Sequence, residues 1–302
     1  MSTIGFIGTG TIGGPMALRL LENKHSMLVF DVNADATLQC TEHGAEAVGT
    51  IAEIARQCTT VFLSLPGPSQ IESVLLGDDG LLDHAQKLTT IVDLSTNAVA
   101  LNRHITEFAE GKGIRYLDAP VSGGKVAAVE GTLTVMVGGD EAAFNSVRPL
   151  IECFGKHVFY MGPAGSGTLT KLVNNQIFLC ASVLIQEGFV MGAKAGMDPS
   201  RLLDVLKVSS AGSLLARAPM LLSRNFDMDV FSLAIAAKDV GVALKSAETV
   251  GAHMPLTEAA HGVYTQALNQ GLGKKDFFAT AKILEGAAGI ELPALKKQKK
   301  NS

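Results

Sequence analysis

The stretch Gly5-Phe6-Ile7-Gly8-Thr9-Gly10-Thr11-Ile12-Gly13 decides the fold of the first half of the chain. It joins an apolar, strand-like segment to a helical pattern that begins near Pro15. In such a turn the first glycine permits a tight bend, the second lets the backbone approach a ligand, and the third lets helix and strand pack closely. Because the helix that follows presents unpaired N–H groups, we expect an anion to bind at this turn.

The residues beyond the turn indicate which anion binds, although a lone G-x-G-x-x-G is also typical of an ordinary glycine-rich turn. Asp31 ends the second strand-like segment, where a carboxylate accepts hydrogen bonds from an adenosine ribose. Val32 and Asn33 follow it, so a 2′-phosphate meets a like charge and finds no guanidinium. We therefore expect NAD in preference to NADP. The predicted cofactor-binding residues of this region are Gly8, Gly10, Thr11, Ile12, Gly13 and Asp31.

The first half of the chain alternates short apolar or β-branched segments with helical patterns, which is typical of a parallel sheet covered by helices on both faces. From about Gly165 onward, Gly and Pro punctuate a helical chain without strand-like segments. We predict a doubly wound, Rossmann-type α/β domain over residues 1–164 and an all-α substrate and oligomerisation domain over 165–302, joined by a long helix at 169–195. The predicted strands are 4–7, 27–30, 61–65, 91–94, 116–117, 134–137 and 158–160.

Composition narrows the class of protein. The 302 residues include 25 Lys and Arg against 29 Asp and Glu, a net charge of −4 that argues against nucleic-acid binding. The four cysteines are scattered without a C-x-x-C pair, which favours a reducing compartment and no metal site. The apolar segment 177–191 is interrupted by Gln186, Glu187 and Gly188, so we expect it to fall short of the ~20 residues that span a bilayer. These features predict a cytoplasmic protein with no membrane partner.

Lys171 is the candidate for proton transfer. A hydride transfer to a carbonyl needs a proton donor, and none of the seven histidines lies in a motif-like cluster. Lys171 lies in the polar cluster 167–175 near the start of the long helix, and Asn175 follows four residues later. That spacing places both side chains on one helix face, where they can contact the same substrate oxygen. From spacing alone, a solvated first turn is the more common explanation of such a lysine.

Three loops follow predicted strands at the edge of the sheet where ligands of such folds bind. In the sequence 118–124, Ser122 offers a hydroxyl while Gly123 and Gly124 expose backbone N–H groups, an arrangement that suits a carboxylate. Taken alone, the segment is better explained as a glycine-rich connector. The other two loops, Leu65-Pro66 and Ser95-Thr96, are also compatible with ordinary turns.

Nearly the whole chain resembles the β-hydroxyacid dehydrogenase family, which includes 3-hydroxyisobutyrate dehydrogenases and tartronate semialdehyde reductases. Residues 5–16 resemble its opening motif, 118–124 its substrate motif and 167–175 its catalytic motif. Phe231 and Lys238-Asp239 resemble the segment that closes over nicotinamide and substrate, and Leu65, Pro66 and Thr96 fall where the family contacts NAD. Thr9 and Ile12 depart from the Leu and Met that are common in the family, without affecting the three glycines.

The resemblance implies hydride transfer between NAD and a small 3-hydroxy acid or its semialdehyde. It implies that Ser122, Gly123 and Gly124 hold the substrate carboxylate, that Asn175 orients the reacting oxygen, and that Lys171 exchanges its proton as general acid and base. Lys238 then frames both substrate and cofactor, Phe231 contacts the cofactor, and the protein is a homodimer or homotetramer.

Two alternatives remain at this level. One keeps the fold and changes the substrate, as in 6-phosphogluconate dehydrogenases or imine reductases. The former usually have His where this chain has Asn174, and the latter are expected to lose the lysine that Lys171 supplies. The other alternative is a non-catalytic dinucleotide-binding scaffold, which the presence of Lys171 and Asn175 disfavours.

Overall fold

The computed structural model describes residues 3–227 and 231–294. The chain separates into two compact units, 1–173 and 174–302. This boundary lies within a long helix, whereas the predicted domain boundary at 164/165 lies just before that helix. The predicted domain limits stay a prediction.

The first unit is built on one sheet whose strand order follows the doubly wound pattern. Six strands are parallel and run in the order β3-β2-β1-β4-β5-β6, so the order reverses between β1 and β4. The predicted α/β fold is confirmed. The strands are β1 Ile4–Ile7, β2 Met27–Phe30, β3 Glu46–Ala47, β4 Thr60–Leu63, β5 Thr90–Asp93, β6 Arg115–Asp118, β7 Val121–Ser122, β8 Leu133–Gly138 and β9 Gly155–Gly162.

The sheet differs from the prediction at one edge, in the limits of β4, β5, β6, β8 and β9, and in two strands that were not predicted. β8 runs antiparallel to β6 and β7 and parallel to β9, so the sheet is mixed, as is common in large sheets. The two-residue strands β3 and β7 are too short to show a periodic pattern. β4 ends at Leu63, two residues before the predicted end, because the N–H of Leu65 donates to the hydroxyl of Ser95 at 2.8 Å. Leu65 therefore belongs to a loop.

Alternating side chains build a core on each face of the sheet. Phe6 and Phe62 lie in one cluster, and their neighbours Ile7 and Leu63 lie in the other. Seven helices of the described chain pack with this sheet or connect its strands: α1 Gly13–Glu22, α2 Leu38–Glu42, α3 Ile51–Gln57, α4 Pro68–Leu76, α5 Val99–Gly111, α6 Gly124–Glu130 and α7 Glu141–Ile151.

The second unit is helical in its described residues apart from an isolated bridge between Ser232 and Asp276, and its core is separate from the two sheet cores. Asp198 caps α9 by accepting the N–H of Ser200 at 2.8 Å, and Pro199 occupies the first turn. Its helices are α8 Ser166–Lys194, which begins in the first unit, α9 Pro199–Lys207, α10 Ala218–Ser223, α11 Leu233–Thr249, α12 Pro255–Asn269 and α13 Ala281–Ala288.

The 29-residue helix α8 is three residues longer at its start than predicted. Of the described helices, it has the length and composition that would let it cross a membrane, with 39% of its apolar window buried in the chain. The expectation that residues 186–188 shorten its apolar segment below spanning length was wrong. Gln186 is buried, however, and accepts the hydroxyl of Thr280 at 2.9 Å. Leu179 and Phe189 of this helix belong to the core of the second unit, which is how the core helix of a globular protein packs.

Candidate active site

The glycine turn after β1 has the backbone geometry that a phosphate group requires. Gly8 has φ +90°, and a Cβ there would lie 2.2 Å from the carbonyl oxygen of Ser64. A Cβ on Gly13 would lie 1.9 Å from the carbonyl oxygen of Gly8. By contrast, a Cβ on Gly10 would meet no atom within 4 Å. The first and third glycines are thus fixed by packing within the protein, and the second faces open space.

The first turn of α1 is suited to an anion. Its N-cap residue Ile12 makes no side-chain cap hydrogen bond, and no acidic residue lies in the first turn. Thr11, just before it, is exposed. No acidic side chain within that turn therefore competes with a phosphate for its N–H groups and for the positive end of the helix dipole.

Asp31 is anchored beside this turn and retains hydrogen-bonding capacity. Its Oδ2 accepts the N–H of Thr9 at 2.8 Å, and its Oδ1 accepts the N–H of Asn33 at 2.9 Å. A carboxylate has about four acceptor positions, so these two bonds leave room for ribose hydroxyls. Val32, the next residue, is 96% exposed. The turn and this carboxylate together fit the pyrophosphate and adenosine ribose of a dinucleotide.

The loops after β4 and β5 are joined to each other by hydrogen bonds. Ser95 accepts the N–H of Leu65, and its own N–H donates to Oδ1 of Asp93 at 3.0 Å. Ser95 is buried, Thr96 is half-buried and Pro66 is exposed. The structure thus brings together the two loops that the sequence analysis selected as ligand-binding.

The glycines that follow β7 adopt backbone conformations that other residues rarely reach. Gly123 has φ +135° and Gly124 has φ +71°. A Cβ on Gly123 would lie 2.5 Å from the Cβ of Ala127, whereas one on Gly124 would meet no atom within 4 Å. Both glycines are exposed and Ser122 is half-buried. The loop therefore presents a hydroxyl and accessible backbone N–H groups, as expected for a carboxylate site.

The helix that carries Lys171 is anchored at its start by a carboxylate from the sheet. Asp118, at the end of β6, accepts the N–H groups of Gly165 and Thr168, each at 2.7 Å. Burial raises the pKa of Asp118, although these donors oppose the shift. Lys171, three residues after Thr168, is half-buried. Asp118 thus caps the start of α8, although it lies 50 residues before Thr168 in the sequence.

Within the second unit, four polar side chains form a connected group on α8 and α11. Asn175 is 4% exposed, and its Nδ2 donates to Oδ2 of Asp239 at 2.6 Å. Its Oδ1 accepts a hydrogen bond from Nδ2 of Asn174 at 3.0 Å. The ammonium of Lys238 lies 2.9 Å from Oδ1 of Asp239, whose side chain is 2% exposed. Asn175 and Lys238, which were selected separately from the sequence, therefore share one buried carboxylate.

Phe231 lies just before α11 and packs on an aromatic cluster. Its ring centroid is 6.0 Å from that of Phe277 in an edge-to-face arrangement, and its carbonyl oxygen accepts the N–H of Phe277 at 3.0 Å. Residues 228–230, which precede it, lie outside the described residues.

Comparison with known proteins gives matches over both halves of the chain. Residues 3–162 match the family described as the NAD binding domain of 6-phosphogluconate dehydrogenase. Residues 165–284 match the family described as NAD-binding of NADP-dependent 3-hydroxyisobutyrate dehydrogenase. The chain belongs to the β-hydroxyacid dehydrogenase family. It is an NAD-dependent oxidoreductase, and like its family it transfers hydride between the nicotinamide cofactor and a small hydroxy acid.

Three relatives of this dehydrogenase illustrate the match. It is 34% identical to a probable mitochondrial 3-hydroxyisobutyrate dehydrogenase of Dictyostelium discoideum, over 91% of this chain and 88% of that one. It is 33% identical to 2-(hydroxymethyl)glutarate dehydrogenase of Eubacterium barkeri, over 96% and 97%. A solved structure of Mycobacterium tuberculosis 3-hydroxyisobutyrate dehydrogenase with L-serine has a TM-score of 0.85 at 29% identity, with 94% and 99% of the two chains covered.

Sequence reasoning did not select two acidic residues that organise this dehydrogenase. Asp239 was noted only as part of a family segment, and Asp118 only as the start of a motif. Neither contact follows from local spacing, since 64 residues separate Asp239 from Asn175 and 50 separate Asp118 from Thr168. The available signal was a carboxylate in an otherwise apolar strand or helix, because a buried charge needs partners.

Proposed function

We propose that this dehydrogenase oxidises small 3-hydroxy acids with NAD, or reduces the corresponding semialdehydes with NADH, with Lys171 transferring the proton. The substrates in the three relatives' descriptions support this chemical class, because each is a carboxylate with a hydroxyl on the β-carbon. The observation that carries the proposal is the polar face of α8. Lys171 and Asn175 are one helical turn apart, and the amide of Asn175 is oriented by Asp239 at 2.6 Å.

The remaining hydrogen-bonding capacity of Asn175 supports its role. Its Oδ1 accepts from Asn174, and one hydrogen of its Nδ2 goes to Asp239. A second amide hydrogen is left to donate to the oxygen of the substrate alcohol or aldehyde. The ammonium of Lys238 pairs with the other oxygen of Asp239 at 2.9 Å, which helps to hold the carboxylate that orients the amide. In this proposal Lys238 frames the substrate and cofactor site from α11, together with Phe231 just before that helix.

Proton and hydride leave the alcohol by separate routes. NAD, when bound, accepts the hydride from the substrate carbon. The hydroxyl of Ser122 and the N–H groups of Gly123 and Gly124 hold the substrate carboxylate. The neutral amine of Lys171 takes the hydroxyl proton as the carbonyl forms, and the ammonium returns it in the reverse reaction. Positioning both ends of a short substrate in this way fixes the carbon that reacts.

We further propose that NAD is preferred to NADP. Residues Gly8, Gly10, Thr11, Ile12 and Gly13 cradle the pyrophosphate, Asp31 accepts the ribose hydroxyls, and the loops at Leu65, Pro66 and Thr96 contact the remainder of the dinucleotide. The carboxylate of Asp31 repels a 2′-phosphate, and the side chain that follows it is Val32.

Assembly and location are proposals as well. Ile177, Leu184 and Met191 recur every seven residues on α8, and their side chains are 58%, 62% and 72% exposed. An apolar stripe of this kind supports a homodimer or homotetramer in which a second copy covers it.

The cysteines bear on location. Cys40, Cys58, Cys153 and Cys180 are free. Burial raises the pKa of Cys40 to about 11 and of Cys58 to about 12. Such inert thiols support a reducing, cytoplasmic location.

The test compares Lys171→Met and Lys171→Arg with native protein in NAD reduction by a panel of 3-hydroxy acids. We expect both variants to bind NADH normally and to lose ~10²-fold or more in kcat, because methionine has no proton to exchange and arginine does not release one. Lys156→Met, at an exposed position on β9, is the matched control and should retain the native rate.

Two outcomes contradict the proposal in different ways. Near-native turnover by Lys171→Arg would move the proton transfer to another group. Native protein that binds NADH but turns over none of the hydroxy acids or semialdehydes would favour the non-catalytic scaffold.

A further inference from the structure

A chain of buried polar groups begins at the loop that carries Leu65. The N–H of Leu65 donates to Ser95, and the N–H of Ser95 donates to Oδ1 of Asp93. The other oxygen of that carboxylate lies 2.7 Å from the hydroxyl of Tyr116, on the neighbouring strand. Asp93 and Tyr116 are each 1% exposed. These bonds tie the loop after β4 to the centre of the sheet.

The chain continues through a side chain on α5. Oδ1 of Asn102 lies 3.0 Å from the hydroxyl of Tyr116 and also accepts from Nδ2 of Asn97. Nδ2 of Asn102 donates to the hydroxyl of Thr168 at 2.6 Å. Asn102 and Thr168 are completely buried. Asn102 thus links the sheet to the first turn of α8.

The chain ends on the backbone of α8. The hydroxyl of Thr168 accepts from Asn102, and the backbone N–H groups of Thr168 and Gly165 donate to the carboxylate of Asp118, each at 2.7 Å. Lys171 follows Thr168 by three residues, less than one helical turn. We call these hydrogen-bonded residues the buried polar chain, as distinct from the polypeptide chain. They are Ser95, Asp93, Tyr116, Asn102, Thr168 and Asp118.

The composition of this chain is not what stability alone would select. The carboxylates of Asp93 and Asp118, which are each 1% exposed, carry a desolvation cost, and burial raises the pKa of both. Hydrogen bonds are directional, whereas apolar contacts allow a helix to slide or rotate by small amounts. A network of directional hydrogen bonds therefore fixes the rotation of the first turn of α8 more tightly than an apolar contact would.

We propose that Asn102, Thr168 and Asp118 are positioning residues for Lys171, holding the first turn of α8 at a fixed place relative to the loop at Leu65. This inference rests on the proposed function, in which Lys171 transfers the proton and Leu65 contacts the cofactor. Lys171 and the cofactor must both reach the same substrate, and the network thereby positions both of them. A displacement of about 1 Å is enough to lower the rate of such a reaction by as much as 10²-fold.

The test uses Thr168→Val, which removes the hydroxyl at nearly constant volume, and Thr168→Ser, which restores it. The backbone N–H of residue 168 still donates to Asp118 in both variants. We expect Thr168→Val to lower kcat ~10-fold, with the NADH dissociation constant and KM within about twofold of native. The primary deuterium isotope effect on kcat, measured with the carbon-deuterated hydroxy acid, should rise because chemistry becomes slower than product release. Thr168→Ser should recover most of the rate.

Thr106→Val is the matched control, since Thr106 lies on α5 and its hydroxyl donates to the carbonyl of Asn102. It removes a hydroxyl from the same neighbourhood outside the chain and should leave kcat and the isotope effect unchanged. If Thr168→Val does not fold, Tyr116→Phe interrupts the chain in its middle. That variant should lower kcat about two- to fivefold with the same rise in isotope effect.

The outcomes separate this inference from the proposed function. Thr168→Val with native kcat and isotope effect, beside an inactive Lys171→Met, would overturn the positioning role alone. A lower melting temperature with unchanged kcat per folded molecule would also overturn it, since that is the behaviour of a purely structural cap. Near-native activity of Lys171→Met would instead remove the proposed function, whatever the result at residue 168.

Discussion

The two units hold their candidate site residues by different means. In the first unit the turns at Gly8–Gly13 and Ser122–Gly124 present mainly backbone groups, and glycine conformation sets their shape. In the second unit the site is a set of side chains, Asn175, Asp239 and Lys238, joined across two helices. A backbone-built site tolerates most changes of neighbouring side chains, whereas a side-chain site fails when one partner is removed.

This difference explains what the sequence could predict. The turn after β1 is local, so three glycines and the following helical pattern were sufficient to predict it, and the strand limits 4–7 and 27–30 were predicted correctly. The adjacency of the loops after β4 and β5 was also predictable, because the carboxyl ends of parallel strands meet at one edge of a sheet.

The missed features depend on tertiary register. The contacts of Asp118 with Gly165 and of Asp239 with Asn175 join residues that are distant in sequence, and no periodic pattern encodes such a pair. The antiparallel placement of β8 was missed for a similar reason, since β6 and β8 share a single paired position, Asp118 with Gly138. Side-chain networks of this kind become visible only once the fold is known.

The largest effect is expected from a change beside the backbone-built turn. Asp31→Ser combined with Val32→Arg removes the carboxylate that accepts the ribose hydroxyls and adds a guanidinium for a 2′-phosphate. The ratio of kcat/KM for NAD to that for NADP should fall ~10²-fold or more, because two charge-dependent interactions change together. Steady-state kinetics with both cofactors measure this ratio.

Asp35→Ser, at an exposed position four residues further on, is the control and should leave the cofactor ratio unchanged. An unchanged ratio in the double variant would mean that Asp31 does not contact the ribose. The description of the first unit's site as built mainly from backbone groups would then be insufficient, since the glycine turn alone would not define the cofactor.

An effect of comparable size is expected on the pH dependence of stability, where the first unit carries a buried acid. Burial raises the pKa of Asp93 from its ordinary 3.8 to about 6. Because the folded state holds this proton more tightly, the stability it contributes is present below pH ~4 and is lost as pH rises through about 6. The loss at pH 7 is on the order of 3 kcal/mol. Asp93→Asn should gain stability relative to native protein over this interval, measured by urea unfolding.

Asp83→Asn provides a control of opposite sign. The hydrogen bond and charge of Lys112 lower the pKa of Asp83, so its contribution is present above its unfolded pKa and is lost as pH falls. The difference between native and Asp83→Asn protein should therefore shrink toward low pH. A pH-independent difference for Asp93→Asn would show that this carboxylate is ionised in the folded protein at all these pH values.

The smallest effect is expected from the apolar stripe of the second unit, on association and not on the fold. Leu184 is 62% exposed at the centre of the stripe, so Leu184→Glu should leave the monomer folded and weaken dimerisation by about tenfold or more, because a charge is desolvated in the interface. Sedimentation velocity over a concentration series measures the change. Val208→Glu, 88% exposed on another segment, is the matched control and should assemble like native protein. If native protein stays monomeric at every concentration, no second copy covers the apolar stripe. The exposed side chains of α8 would then be a surface of the monomer.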